Sequence, residues 1–285
     1  MKILLTGAAG QLAHDLLPCL QSQGHQVHAC DHAQCDITQS GDMQRMFASL
    51  APDAVINCAA YNQVDRAESD HSAAFAVNAL GPLHLARACS EHGAVLLHIS
   101  TNYVFDGVSS RPYHELDCPR PLSVYAASKL SGEHLAQSHC ERCYIVRTTG
   151  LYGLAGRTTR QGNFVETMLR LAASGRDIRV VNDQWLTPTA AADLAPALAR
   201  LLTTNRFGTY HLTNSGSTTW FDFARAIFDR AGFSPRLQPV SSQDFAAAAR
   251  RPAFSVLANT AWETAGFPAL PPWQDALSSY LKARL

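Results

Sequence analysis

The opening of the chain, KILLTGAAGQLAHDLL, narrows the choice of folds more than any other stretch. Residues 2–6 form an apolar run of the buried-strand type. Gly7 and Gly10 follow at once, and a helical pattern then runs over residues 11–24. Gly7 permits a tight turn, and Gly10 lets the backbone approach a bound group closely. Ala13 takes the third place of a G-x-x-G-x-x-(G/A) loop, where only close packing of helix on strand is required. A loop of this kind presents backbone amides at a helix N-terminus, which suits a pyrophosphate. The stretch therefore reads as strand, loop and helix of a dinucleotide-binding unit, with Gly7, Gly10, Gln11 and Leu12 against the cofactor. A structural turn is the alternative.

The next residues repeat the alternation. Strands are expected at 26–30, 53–60, 94–100 and 143–149, and helices at 40–52, 69–93 and 124–140. Pro18 should distort or shorten the first helix. Ser40 is the expected cap of the second. Continuous apolar strands between helices imply a parallel sheet covered on both faces, a doubly wound Rossmann-like α/β fold. After residue 150 the pattern changes to helices at 163–174, 190–203 and 219–232, with β-like pieces at 178–181 and 208–213 and a Pro-rich segment, GFPALPPW. The expected division is a dinucleotide-binding domain over 1–150, with later strand contributions, and a smaller substrate-binding α/β region over 151–285.

Composition removes several classes of function. Lys plus Arg and Asp plus Glu both number 23, so no basic excess points to nucleic acid. No run approaches the roughly 20 apolar residues of a membrane span. The first apolar run is too short for a secretory signal, so a cytoplasmic location is expected. The eight cysteines are scattered, mostly in apolar surroundings, and read as buried reduced thiols. Cys140 and Cys143 have C-x-x-C spacing without a second pair. No carboxylate set suggests a metal, since Asp15 and Asp193 are isolated.

Asp31 ends the second strand, 21 residues after Gly10. A carboxylate there can bond the adenine-ribose hydroxyls and repel a 2′-phosphate, which leans towards NADH over NADPH. His28 and His32 lie near it, as surface histidines or as a softening of that preference. Asp36 and Ile37 suit an adenine-contacting turn, unless Asp36 only opens a helix.

Tyr125 and Lys129 form Y-x-x-x-K and share one helix face. A nearby ammonium lowers a phenol's pKa, and the pair can then protonate a carbonyl oxygen while a hydride reaches its carbon. Thr101, at the end of the fourth strand, can hydrogen-bond the same oxygen; capping of the loop is the alternative reading.

Taken together, GAAGQLA, CDIT, PDAVINCAAYNQVDRAE, AVNALGPLHLARAC, STNYVFDG, PLSVYAASKLSGE, RTTGLYG, VVNDQWLTPT and RRP resemble the extended short-chain dehydrogenases/reductases, and within them the dTDP-4-dehydrorhamnose reductases. The resemblance runs nearly end to end. It implies NADPH- or NADH-dependent reduction of a 4-keto group on a dTDP-6-deoxyhexulose. It implies Thr101, Tyr125 and Lys129 as the catalytic set, with Lys129 also on the nicotinamide ribose. It places Ala59, Ala60, Tyr61 and Asn78 near the cofactor, with packing as the alternative for Asn78. It places Asn102, Tyr103, Gly150, Asn163, Phe164, Trp185, Thr187 and Arg251 on the sugar-nucleotide side. Arg251 is the candidate for the diphosphate, because a guanidinium matches phosphate oxygens in a bidentate way.

Two positions depart from the family pattern. Asn102 stands where the family usually has Asp, and Gly150 where it commonly has an aromatic that would cover the sugar. Gly150 is expected to leave that space open. The loop that follows is basic, with Arg157 and Arg160. A different sugar, an epimerase, or a regulatory subunit like the methionine adenosyltransferase β-subunits are the alternatives. The expected partner is a nucleotide sugar, with neither nucleic acid nor membrane; a homodimer is compatible with it.

Overall fold

The computed structural model describes residues 1–158 and 162–284, so Arg160 lies outside the described residues. Six strands form one parallel sheet: β1 (Lys2–Thr6), β2 (Gln26–Cys30), β3 (Ala54–Asn57), β4 (Val95–Thr101), β5 (Cys143–Thr148) and β6 (Gly208–His211). Their spatial order is β6-β5-β4-β3-β1-β2. The chain therefore reverses direction across the sheet between β1 and β3. In open α/β sheets that switch point is where a crevice forms outside the carboxyl ends of the strands.

Both faces of the sheet are covered. Ile3, Leu5, Ile56 and Leu97 pack on helices α1 (Gln11–Ser22) and Ala191–Leu202. Leu4, Val55, Leu96 and Ile145 pack on the other side, with Met43, Phe47, Leu85 and Ala136. This is why the strands read as unbroken apolar runs. Each fully buried Leu or Ile contributes roughly 1.5–3 kcal/mol. Pro18 is exposed and α1 continues through it to Ser22, because the carbonyl left without a donor can face water. Ser40 begins α2 (Ser40–Leu50) as its first helical residue and makes no cap bond; Gln39 precedes it.

The segment expected as one helix over 69–93 is three pieces. His71–Phe75 passes through a π turn, Ala76–Leu80, into α3 (Gly81–His92). A Cβ at Gly132 would run into the Asn78 carbonyl oxygen, so helix α4 (Val124–His139) lies directly on this turn. Beyond β5, a separate core holds Tyr152, Leu169, Phe223, Ile227, Trp273 and Tyr280. It joins three helices, Phe164–Ala173, Trp220–Ala231 and Trp273–Arg284. Three two-stranded pairs complete the region, Leu151–Tyr152 with Thr189–Ala190, Trp185–Leu186 with Thr218–Thr219, and Ile178–Val181 with Leu237–Val240. Among the described residues no helix is long and apolar enough to cross a membrane.

Candidate active site

Gly7 adopts φ +73° where β1 ends, and a Cβ there would lie 2.5 Å from the Ala59 amide nitrogen. Only glycine lets the β1 loop sit this close to the segment after β3. Gly10 precedes α1 and has no side chain to bond the first helical amides. Those amides are left for an outside acceptor, as a phosphate requires. The loop thus fits a dinucleotide on the geometry of its own backbone.

A cavity of about 460 Å³ opens beside it. Gly10, Gln11 and Leu12 line one end, and Thr101, Asn102, Tyr103, Tyr125 and Lys129 line another. Cys58, Ala60, Gly150, Gly162 and Trp220 also face it. Tyr125 and Lys129 arrive together because Ser123 caps α4, its hydroxyl accepting from the Ala126 amide at 3.3 Å.

The electrostatics of the pair differ from the expectation. Burial pushes the Tyr125 phenol up to about 12, and the neighbouring Thr101 hydroxyl only partly offsets it. Burial lowers Lys129 to about 8, against the raising effects of Glu133 and Cys58. Lys129 Nζ donates to the Ile99 carbonyl at 2.6 Å and faces His98 Nε2 at 3.4 Å. The phenol is thus a protonated acid in this state; burial dominates its value, and the lowering expected from the ammonium is not among the effects acting on it.

Thr101 Oγ1 donates to Asn102 Oδ1 at 3.2 Å and accepts from the Tyr103 amide at 3.2 Å. Asn102 Nδ2 donates to Ser255 Oγ at 2.7 Å. Below this, Ser100 donates to Glu133, whose carboxylate is held by Arg147 at 2.6 Å. The Arg147 guanidinium lies 5.2 Å from the Phe105 ring centre. A buried ion pair with its remaining groups satisfied in this way holds α4 on the sheet without a stranded charge.

Several expected cofactor residues have structural partners. Asp31 Oδ1 accepts from the Ala33 and Gln34 amides at 3.0 and 3.1 Å. Asp36 Oδ1 accepts from the Thr38 amide and hydroxyl, and Ile37 is buried in the core. Asn78 Oδ1 accepts from the Tyr61 amide at 2.8 Å, and its Nδ2 donates to the Tyr61 carbonyl and to Ser128 Oγ. It thereby ties the 59–61 segment to α4. The Tyr61 hydroxyl turns to Asp70 at 3.1 Å. Gln11 Oε1 accepts from the Gly153 amide and from Asn163 Nδ2.

The sugar-side set separates. Asn163 caps the helix Phe164–Ala173 through the Glu166 amide, and the Phe164 ring packs tilted against Trp220, centroids 4.5 Å apart. Thr187 is buried and donates to the Gly216 carbonyl. Trp185 is 42% exposed and lies outside the cavity lining. Arg251 forms a bidentate pair with Asp65 at 2.7 and 2.9 Å, so its charge is already matched. Gly150 borders the cavity with its backbone, but the direction a side chain would take is crowded. It adopts φ +55°, and a Cβ there would lie 2.7 Å from Leu186 Cδ1.

Besides Tyr103 and Tyr125, the Trp220 ring faces the cavity. The signal for it was in STTWFDFA, where Thr219 caps the helix that begins at Trp220. His98, Asn57 and Ser255 were also unforeseen. Of these His98 carried a signal, a lone histidine in an otherwise apolar buried strand. Cys140 and Cys143 are buried free thiols, both pushed up by burial, which is unsuited to redox exchange.

A family model described as "RmlD substrate binding domain" matches residues 1–285. The chain belongs to the RmlD substrate binding domain family. A dTDP-4-dehydrorhamnose reductase of Mycobacterium tuberculosis is 42% identical, over 99% of this chain and 93% of its own. A dTDP-4-keto-6-deoxy-D-glucose reductase of Streptomyces niveus is 37% identical, over 96% and 94%. Among solved structures, dTDP-4-dehydrorhamnose reductase of Bacillus anthracis in complex with NADP superposes with a TM-score of 0.94 at 37% identity, covering 99% of each chain. For an RmlD-family chain, the cavity between Gly10 and Tyr125 is thus the place to look for chemistry.

Proposed function

We propose that this protein reduces the 4-keto group of a dTDP-6-deoxyhexulose with NADPH or NADH. The observation that carries the reading is one cavity joining the phosphate loop, at Gly10 to Leu12, to Thr101, Tyr125 and Lys129. The relatives named as reductases of dTDP-4-ketosugars support the substrate class.

Bound NADPH or NADH supplies a hydride to the carbonyl carbon. The Tyr125 phenol gives its proton to the carbonyl oxygen, so the product is the alcohol. A phenol held at about 12 keeps that proton until charge develops on the oxygen. Thr101 can turn its hydroxyl hydrogen from Asn102 to the same oxygen, and Lys129 can hold ribose hydroxyls. Trp220 offers a flat apolar face to the sugar nucleotide. Arg251 would meet a diphosphate only by sharing its guanidinium with Asp65. In this reading residues 1–150, with the strand Gly208–His211, hold the cofactor, and the rest of 151–285 holds the sugar nucleotide. A cytoplasmic location and a homodimer belong to the same proposal.

The test supplies a panel of dTDP-4-ketosugars, generated in situ, with each cofactor. Cofactor oxidation and a reduced sugar identified by NMR are expected. Tyr125→Phe should remove most turnover and leave cofactor affinity nearly intact. Clean cofactor binding without turnover of any 4-ketosugar would instead favour a binding subunit.

A further inference from the structure

Thr6, Asn57 and His98 occupy one row across β1, β3 and β4, since Thr6 pairs with Asn57 and Asn57 with His98. All three are fully buried. Strand alternation turns them to the face covered by α4, where the row ends at Lys129.

The direction of each hydrogen in this row is determined by one backbone amide. The Ala59 N–H can only donate, and it points at Asn57 Oδ1 at 3.1 Å. Thr6 Oγ1 donates to the same oxygen at 2.7 Å. Asn57 must therefore present its NH₂ group to His98 Nδ1, 3.0 Å away. A ring nitrogen that receives a donor carries a lone pair, so the ring hydrogen is assigned to Nε2. Nε2 faces Lys129 Nζ at 3.4 Å. An ammonium has three hydrogens and no lone pair, so it cannot accept from Nε2–H. A neutral amine can accept there and still donate to the Ile99 carbonyl.

We propose that His98, held as its Nε2–H tautomer by Asn57, is a positioning residue that favours the amine over the ammonium form of Lys129. The proposal rests on the reading of Lys129 as part of the acid–base set. The other groups that face the lysine are the Cys58 thiol from the turn after β3 and, on its own helix, Tyr125 and Glu133. Glu133 is neutralised by Arg147, so its pull on the lysine is shared. Burial acts in the same direction as His98, lowering Lys129 to about 8. Burial also holds His98 well below its ordinary value, with the Lys129 charge acting in the same sense, so the ring stays neutral. An amine form within reach at physiological pH lets Lys129 take and release a proton during turnover, rather than stay a fixed charge.

The test has two arms on the whole protein. In the first, nitrogen NMR of histidine-labelled wild type reads the His98 tautomer, its signals assigned by their loss in His98→Gln. A neutral Nε2–H pattern, unchanged through the neutral pH range, is expected. An Nδ1–H pattern, or a ring that titrates in that range, overturns the proposal.

In the second arm, the Lys129 side chain is titrated by carbon NMR, and the alkaline limb of kcat/KM is followed in parallel. His98→Leu removes every side-chain N–H at this position and should move both upward by roughly one pH unit, a tenfold change in the proton equilibrium. Asn57→Asp offers only acceptors, obliges Nδ1–H, and should move both the same way. Thr6→Val keeps the Ala59 bond and should leave both in place. Variants that lose stability or turnover without moving the lysine titration overturn the proposal and leave His98 a packing residue. If wild type turns over no 4-ketosugar, the proposed function fails, while the two NMR readings still decide the role of His98.

Discussion

Asn102 gives a hydrogen to the Ser255 hydroxyl at 2.7 Å, and Ser255 passes its own to the Trp185 carbonyl at 3.0 Å. The Ser255 carbonyl stands 3.3 Å from the same Asn102 nitrogen. Two acceptors thus face position 102, and a side-chain amide satisfies both. A carboxylate would oppose the carbonyl and force Ser255 to abandon Trp185. The departure from Asp is therefore matched by its surroundings. Asn102→Asp is expected to lower stability by about 1–3 kcal/mol, the cost of stranding buried polar groups. Turnover should fall less, because either side chain accepts from Thr101. Denaturant midpoints at neutral pH measure it, and an unchanged midpoint would show that the seam does not need the donor.

Gly150 is a position where backbone and packing exclude a side chain together. Its φ of +55° is costly for other residues, and a Cβ would crowd Leu186 Cδ1 at 2.7 Å. Gly150→Ala should cost about 1–3 kcal/mol, from the left-handed backbone and the displaced Leu186. The expected readout is a lower midpoint with little change in KM for the sugar nucleotide. A large rise in KM at unchanged stability would place the sugar against this residue.

What the sequence made legible, and what it hid, follows the range of the interactions. The strands at 2–6 and 26–30 were read to the residue, the first because it is a buried apolar run ending at a glycine turn, the second because the turn at Gly24 and the polar segment from Asp31 bound it on both sides. The π turn at 76–80 was not, because its apolar spacing also fits an α-helix. It sits where Gly132 presses the neighbouring helix onto Asn78, a contact that no local pattern encodes. Tyr125 and Lys129 were legible through their spacing. Arg251 looked free because Asp65, its partner, lies 186 residues away. Gly150 looked like open space for the same reason, since Leu186 comes from another element. Side chains that act locally could be read; those defined by a distant partner could not.

His211 is fully buried and accepts from Arg147 through Nε2, while its Nδ1–H donates to the Tyr113 carbonyl at 3.0 Å. Burial first, and Arg147 second, lower it to about 3. Its folded value lies below the unfolded one, near 6.5, so the unfolded chain takes the proton first as pH falls. The stability it contributes is present above pH 6.5 and is lost progressively between there and about pH 3. At pH 5 the loss from this one residue is about 2 kcal/mol. His98, also lowered by burial, acts in the same direction. Denaturant midpoints at neutral and mildly acid pH should show this loss in wild type. His211→Gln should be less stable at neutral pH but lose less on acidification. An equal acid loss in the variant would remove His211 as the cause.

Asp31 has two possible employments, and its two oxygens separate them. Oδ1 is engaged by the Ala33 and Gln34 amides and holds the turn after β2. Under the proposed function, Oδ2 would meet the adenine ribose and the negative charge would repel a 2′-phosphate. Asp31→Ala would break the turn and remove the charge at once. Asp31→Asn keeps an acceptor for the two amides and removes only the charge, so it isolates cofactor choice. The ratio of kcat/KM with NADPH to that with NADH should rise by roughly tenfold, about 1.4 kcal/mol of relieved repulsion. The thermal midpoint of the free enzyme should hardly move. If the ratio stays constant in Asp31→Asn and changes only in Asp31→Ala, the carboxylate shapes the turn and does not read the ribose.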